Sequence, residues 1–360
     1  MQCLSKLPIG RMRIERPNRD NMRVPDGFLK SVGFIGEVIH TDTAGDDFDP
    51  CGTGFFVSVP SSVRPEASYF LLVTAKHVVI DLQGRPMGCL VNNRSGGVAS
   101  LPIASEHWYF HPSDPTADVA VMPFELTPNL DIVSVATKHF INLDVMAHEK
   151  MGIGDEVFAL GLFTYAAGRK RNMPIVRHGN LAMIPEEQIQ IDAGFADAYL
   201  IEARSIGGMS GSPVFIRKTV SLKGLDKFDR EVDLSGVSSD FRLLGLLHGH
   251  WDIKESEINK PTFAHDHQRG VNLGIAVVVP AHKIMETINH PDLIAARERG
   301  EDAVRSAIVP SPDRTLKRGH VARIGGPGPY AFETPRPGGL SGANSRFNPI
   351  HLNGGMIVIG

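Results

Sequence analysis

Cysteine is scarce in this sequence, with three in 360 residues: Cys3, Cys51 and Cys89. An odd and sparse set of thiols does not make the disulfide framework of small secreted domains, and it favours a reducing compartment. The N-terminus also lacks the continuous apolar segment of a secretory signal, and no apolar stretch is as long as a membrane-spanning helix. These absences predict a cytoplasmic protein that has no membrane partner.

Strong charge of one sign is absent as well. The formal net charge is −3, which shows no bias toward nucleic acid. Histidines gather at His265 and His267 around Asp266, and at His248 and His250, but without helical i, i+4 spacing or cysteine ligands. We therefore expect solvated loop histidines there, and the sequence predicts no metal, no cofactor and no nucleic-acid partner.

Short apolar runs separated by turn residues dominate the middle of the chain. Hydrophobic residues make up 42% of the sequence, enough for a substantial core. Examples of the runs are 54–59, 69–74, 118–122, 156–160, 243–247 and 274–279. Their length and the lack of regular alternation between strand and helix predict an all-β sandwich or barrel rather than a parallel α/β sheet.

The two ends of the chain differ from this middle part. Residues 1–27 are polar and basic, which predicts an irregular N-terminal arm. The patterns at 281–288 and 291–308 predict two helices, the second with a candidate break at Gly300. From about residue 310 the chain is rich in glycine and proline, and this composition predicts an irregular tail. The boundaries expected from these shifts are an arm at 1–27, one β domain at 28–290 that divides near 140–155, and a final helix with its tail at 291–360.

One loop, Gly-Met-Ser-Gly-Ser-Pro at 208–213, carries the clearest chemical signal. A serine hydroxyl becomes a nucleophile when a base takes its proton and converging N–H groups stabilise the resulting oxyanion. Glycines at 207, 208 and 211 permit the tight turn that this needs, with the N–H groups of Gly208 and Ser210 as the oxyanion donors. Taken alone, the loop also fits an ordinary Gly/Ser hairpin. It is not a nucleophile elbow, because Ser212 stands where that motif has a second glycine.

A base and a carboxylate occur upstream in suitable contexts. His77 is predicted to end an apolar strand after the small residues Thr74 and Ala75, and an imidazole exchanges protons near neutral pH. Asp118 enters an apolar segment, where a charge needs a partner such as an imidazole N–H. A core histidine and a turn-capping aspartate are the structural alternatives. Asp114 is a rival carboxylate, but it lies in a proline-flanked loop where we expect it to be solvated.

In this order, these residues resemble the trypsin-like (chymotrypsin-fold) serine peptidases. The resemblance rests on Thr-Ala-Lys-His at 74–77, Ala-Asp-Val-Ala-Val at 117–121, the serine loop, Cys-Gly-Thr-Gly-Phe at 51–55 and the closing segments Gly-Ile-Ala at 274–276 and Val-Pro at 279–280. The resemblance spans about residues 30–290. Within the family, this chain is similar to a bacterial, HtrA-like or glutamyl-endopeptidase-like branch without a PDZ domain. Met209 replaces the usual Asp or Asn, and Val78 replaces the cysteine that would pair with Cys51.

The resemblance implies two antiparallel six-stranded β-barrels with C-terminal helices, and a catalytic triad in the cleft between them. His77 would be the base, Asp118 its orienter and Ser210 the nucleophile of an endopeptidase that forms an acyl-enzyme on a polypeptide substrate. Its pattern also implies a primary pocket lined by Arg204, His248 and His250, which predicts a preference for an acidic side chain. The alternative is a catalytically silent pseudopeptidase that binds peptides; an α/β-hydrolase is excluded because its base would follow the serine.

Overall fold

The structure is a computed structural model that describes residues 24–40, 47–168, 170–191, 194–203, 207–218, 241–254 and 270–308. Most of the predicted arm, the tail after residue 308, Arg204 and the histidines at 265 and 267 lie outside the described residues. The boundaries at 27, 290 and 140–155 stay predictions.

The first part of the described chain forms one sheet of eight strands in the order β5-β4-β1-β2-β3-β7-β6, with β8 pairing in parallel with β2. The strands are β1 (Val32–Ile39), β2 (Asp47–Pro60), β3 (Ser68–Thr74), β4 (Met87–Asn92), β5 (Val98–Ile103), β6 (Tyr109–Phe110), β7 (Ala120–Pro123) and β8 (Val135–Ala136). The family resemblance implied a six-stranded barrel here. Among the described residues the path is open, and its end strand β6 has only two residues.

The second part of the chain forms a closed barrel of six strands. Its order is β10-β13-β16-β15-β14-β9, and β11 and β12 form a separate two-stranded sheet. The strands are β9 (Glu156–Gly161), β10 (Ile175–Met183), β11 (Ile189–Ile191), β12 (Gly194–Ala196), β13 (Tyr199–Glu202), β14 (Pro213–Arg217), β15 (Phe241–Lys254) and β16 (Gly270–Pro280). This confirms the predicted mostly-β architecture.

Side-chain alternation along β9 joins the two sheets. Val157 and Ala159 belong to the core inside the barrel, whereas Phe158 and Leu160 belong to the core shared with the first sheet. Successive side chains of a strand point to opposite faces, so one strand serves both cores. The ring of Phe158 stacks on that of Phe215 from β14 at a centroid distance of 5.4 Å. The two sheets therefore share buried apolar side chains.

Five α-helices complete the described part of the chain: α1 (Asp26–Leu29), α2 (Lys76–Asp81), α3 (Leu143–Glu149), α4 (Ala281–Ile288) and α5 (Pro291–Ile308). The last two have the bounds that the sequence predicted. Gly300 does not interrupt α5; a Cβ at this position would lie 3.1 Å from the hydroxyl oxygen of Tyr69, so glycine permits close packing on β3. No helix in the described ranges is long and apolar enough to span a membrane.

An ion pair holds α4 against the loop before β7. Lys283 Nζ donates to Asp114 Oδ2 at 2.8 Å, and Thr116 donates its N–H and its hydroxyl to Asp114 Oδ1. Asp114 is thus paired and only 18% exposed at its side chain, not solvated as the sequence suggested. Burial would raise the pKa of Asp114, but the hydrogen bonds from Lys283 and Thr116 outweigh it and hold the pKa below its usual value.

The Asp114→Asn variant is expected to lose stability in a pH-dependent way. A carboxyl whose pKa is depressed in the folded state stabilises it above the unfolded pKa, about 3.9 for Asp, and loses that contribution as pH falls through the folded value. The difference in unfolding free energy between the native protein and the variant should be largest above about pH 5 and shrink in more acidic solution. Urea denaturation at several pH values measures it. The exposed Glu187→Gln serves as control, and a difference independent of pH would contradict the ion-pair explanation.

Candidate active site

Asp118 lies just before β7 and is buried, with 4% of its surface exposed. One carboxylate oxygen, Oδ1, accepts the backbone N–H of His77 at 2.8 Å. The other, Oδ2, accepts from His77 Nδ1 at 2.7 Å and from His248 Nδ1 at 2.5 Å. Burial alone would raise the pKa of Asp118, but these hydrogen bonds from His248 and His77 hold it well below its usual range. Asp118 is therefore a fixed, ionised acceptor for two imidazoles.

His77 lies in the first turn of α2, directly after β3 ends at Thr74. The backbone turns at Ala75, so the imidazole leaves the strand direction; its side chain is 37% exposed. Burial lowers the pKa of His77, but the hydrogen bond to Asp118 and the charges of Asp118 and Asp81 outweigh it, and the net shift is upward. With Nδ1–H donated to Asp118, the lone pair of Nε2 is free to take a proton.

His248 lies on β15 and reaches the same carboxylate from the barrel side. Its ring meets the ring of His77 edge to face, with centroids 5.4 Å apart. Its backbone carbonyl accepts a hydrogen bond from Ser210 Oγ at 3.2 Å. His248 therefore links the two other parts of the site, the Asp118–His77 pair and the serine loop.

The serine loop is tied to the barrel core by Met209. This side chain is fully buried among the apolar residues inside the barrel, between Gly208 and Ser210. Gly208 and Gly211 have φ values of +92° and +81°, the left-handed region that favours glycine. A Cβ at Gly211 would lie 2.2 Å from the carbonyl oxygen of Thr53, so the loop also approaches β2 too closely for a side chain there.

Thr53 on β2 joins three segments around this loop. Its hydroxyl donates to Gly208 O and accepts from Leu162 N, each at 2.9 Å, and its own N–H donates to Ser210 O at 2.9 Å. Its carbonyl accepts the hydroxyl of Thr74 at 2.7 Å, three residues before His77. These contacts bring the serine loop of the barrel against the end of β3, where the chain enters α2.

The hydroxyl of Ser210 points to a backbone carbonyl in this structure. Ser210 Oγ donates to His248 O, and no hydrogen bond joins it to His77. Within the described ranges, the N–H groups of Gly208 and Ser210 donate to no other group of the protein. The site thus combines a polarised imidazole, a hydroxyl and two free backbone donors.

The structure brings together His77, Asp118, Ser210 and Gly208 of the sequence-predicted residues. It places His248 on strand β15, 20% exposed and bonded to Asp118, and not in a solvated loop as the sequence predicted. Sequence reasoning missed this contact, although a polar residue at the end of the apolar run 243–247 was a signal for it. The backbone of His250 pairs with Ala276 on β16. Arg204 lies outside the described residues, and the pocket of Arg204, His248 and His250 stays a prediction. The role of Thr53 in holding the serine loop was also missed, although Thr53 lies in the Cys-Gly-Thr-Gly-Phe segment at 51–55 that supports the family resemblance.

Among the described residues a closed six-stranded barrel lies beside a second β-sheet, with C-terminal helices, which is the mostly-β architecture that the sequence predicted. No protein-family model and no curated protein matches the sequence. Among solved structures, the MamO protease domain of Magnetospirillum magneticum in its apo form is 15% identical, with 72% of this chain and 96% of that one covered and a TM-score of 0.41. AlgW, an HtrA-type protease solved with a tripeptide, is 16% identical, with 72% and 60% covered and a TM-score of 0.38.

Proposed function

We propose that this chain is a serine endopeptidase that cleaves polypeptides through an acyl-enzyme. The observation that supports this most is the double hydrogen bond from His77, through its backbone N–H and its Nδ1–H, to the buried carboxylate of Asp118. This arrangement fixes the ring orientation and the tautomer that a general base needs. A histidine that served packing alone would not require a buried anion on its ring.

In the proposed reaction, Ser210 Oγ leaves the carbonyl of His248 and donates its proton to His77 Nε2 as it attacks the scissile carbonyl carbon. The imidazolium is stabilised by Asp118, and the carbonyl oxygen becomes an oxyanion held by the N–H groups of Gly208 and Ser210. Collapse of this intermediate breaks the C–N bond while His77 returns the proton to the amine. Water, activated by the same imidazole, then hydrolyses the Ser210 ester and releases the second product.

A specific observation favours a second candidate, a pseudopeptidase that binds peptides without cleaving them. The hydroxyl of Ser210 is bonded to His248 O rather than to the base, at 3.2 Å. In free enzymes, catalytic hydrogen bonds are often long or misaligned and form only with substrate bound. The two candidates therefore differ in whether Ser210 reacts, which a chemical probe measures directly.

A fluorophosphonate probe tests the proposal on the intact, folded chain. The expected result is one adduct per chain, mapped by mass spectrometry to Ser210, together with cleavage of denatured casein. Heat-denatured protein is the control, because unfolded chains have no activated serine. Absence of an adduct in folded protein would favour the peptide-binding candidate, and an adduct elsewhere would refute the assigned nucleophile.

We also propose a reducing, cytoplasmic location. Cys51 and Cys89 are both free thiols in the described part of the chain. Cys89 is buried in the first core, and burial raises its pKa to about 12, so it stays an inert thiol. Since neither thiol is part of a disulfide, neither one requires an oxidising compartment.

A further inference from the structure

Three groups able to bind a metal converge in the candidate active site. The ligand atoms of His77, Asp118 and His248 lie within 4.8 Å of one another. Asp118 Oδ2 is at the centre, 2.7 Å from His77 Nδ1 and 2.5 Å from His248 Nδ1. Two imidazole nitrogens and a carboxylate oxygen are a common three-ligand set for Zn²⁺, which leaves a fourth position for water.

We propose that His77, Asp118 and His248 bind a transition-metal dication of the Zn²⁺ class, and that the bound ion switches the peptidase off. The sequence predicted no metal, because its histidines lack helical i, i+4 spacing and cysteine ligands. The inhibition rests on the proposed peptidase function, whereas the binding does not.

The geometry needs only a small adjustment to accept the ion. Tetrahedral Zn²⁺ with bonds of about 2.0–2.2 Å holds its ligand atoms roughly 3.3 Å apart. The nitrogen–oxygen distances of 2.7 and 2.5 Å must therefore open by roughly 0.6 and 0.8 Å, a displacement that side-chain torsions supply. The second oxygen of Asp118 is held by the N–H of His77 at 2.8 Å, which orients the carboxylate as outer-shell contacts do in metal sites.

The site is also accessible to an ion from solvent. The side chains of His77 and His248 are 37% and 20% exposed, whereas the side chain of Asp118 is 6% exposed. The charge of Asp118 attracts a cation to the bottom of this opening. A dication bound there meets one negative charge and two neutral donors, a combination that suits Zn²⁺ better than Mg²⁺ or Ca²⁺.

Inhibition follows from the proton positions on His77. In the metal-free site Nδ1 carries the proton and Nε2 has the lone pair that accepts the proton of Ser210. When Nδ1 binds the ion, its N–H bond is replaced by a nitrogen–metal bond and the proton moves to Nε2, so the ring stays neutral. Nε2 is then protonated and cannot act as the base. Removal of the ion restores the original tautomer.

Isothermal titration of the 360-residue chain with Zn²⁺, and visible absorption with Co²⁺, test the binding. We expect one ion per chain at this site, with affinity weakened by more than about tenfold in His248→Ala. The second variant, His248→Asn, keeps an amide N–H that can donate to Asp118 but lacks the imidazole ligand, so it should fold like the native protein and also bind weakly. His178→Ala, an exposed histidine paired with Glu156 at 3.2 Å, is the matched control and should bind normally.

A second measurement separates this proposal from the proposed function. Zn²⁺ should block the reaction of Ser210 with the fluorophosphonate probe, and EDTA should restore it. If the metal-free protein never reacts, the peptidase assignment fails while the titration still decides the metal site. Unchanged Zn²⁺ affinity in both His248 variants, or loss of binding only when His265 and His267 are replaced, would overturn the site proposed here.

Discussion

Replacing Ser210 with alanine is expected to lower kcat for a peptide substrate by about 10⁶-fold, with the folded structure retained. The hydroxyl makes one hydrogen bond, to His248 O, and the backbone carbonyl of Ser210 keeps its bond from Thr53 in the variant. The fold therefore loses little, whereas the reaction loses its nucleophile. Active-site titration and steady-state kinetics measure the loss, with circular dichroism and urea denaturation to verify folding.

Ser212→Ala is the matched control for this variant. Ser212 lies in the same loop, two residues away, and its buried hydroxyl has no hydrogen-bond partner among the described residues. Removing it changes the packing of the loop without touching the proposed nucleophile. We expect Ser212→Ala to keep most of its activity. Residual turnover in Ser210→Ala close to the native rate would show that another group attacks the substrate.

Replacing Asp118 with asparagine is expected to lower kcat by about 10⁴-fold. The carboxylate accepts three hydrogen bonds, from His77 N, His77 Nδ1 and His248 Nδ1. Asparagine has one acceptor oxygen. Its NH₂ group takes the place of the other carboxylate oxygen and there faces an N–H donor instead of accepting from it. The ring of His77 then turns its lone pair toward residue 118 and its N–H toward Ser210, which is the wrong tautomer for a base.

Asp114→Asn provides the comparison for this second prediction. Asp114 is the other carboxylate of the same segment, and it contacts Lys283 and Thr116 instead of an imidazole. Its replacement should change stability with pH but leave kcat near the native value. Native-like turnover in Asp118→Asn, or an equal loss in Asp114→Asn, would contradict the assignment of Asp118 as the orienting group. The double variant Ser210→Ala/Asp118→Asn should be about as slow as Ser210→Ala alone, because these residues act as a unit.

Local patterns in the sequence were sufficient for much of the fold. The apolar runs at 54–59 and 69–74 lie in β2 and β3, and those at 156–160, 243–247 and 274–279 lie in β9, β15 and β16. The run at 118–122 enters β7 at Ala120, two residues later than expected, and Asp118 before the strand bonds to His77. The bounds of α4 and α5 were predicted because helix formation depends on neighbouring residues and on where proline falls.

Other features depended on which distant segments pair. The first sheet is an open path that ends at the two-residue strand β6, and no local pattern distinguishes so short a strand from a longer one. The contacts of Thr53 with Gly208, Ser210 and Leu162 join residues more than a hundred positions apart. A threonine in an apolar strand gives no sign of such partners, since its hydroxyl bonds equally well to local backbone.

By itself the sequence determined the kinds of groups in the site and their order along the chain: a histidine after a strand, an aspartate entering an apolar segment, and a serine among glycines. Each is a local signature, because a base, a buried charge and a tight turn each constrain their immediate neighbours. Only the tertiary structure decided that Asp118 is shared by two imidazoles and that the hydroxyl of Ser210 rests on the carbonyl of His248. These contacts depend on how β15 of the barrel lies against the end of β3 and the start of β7. The spacing of residues along the chain does not encode hydrogen-bond geometry between such distant segments.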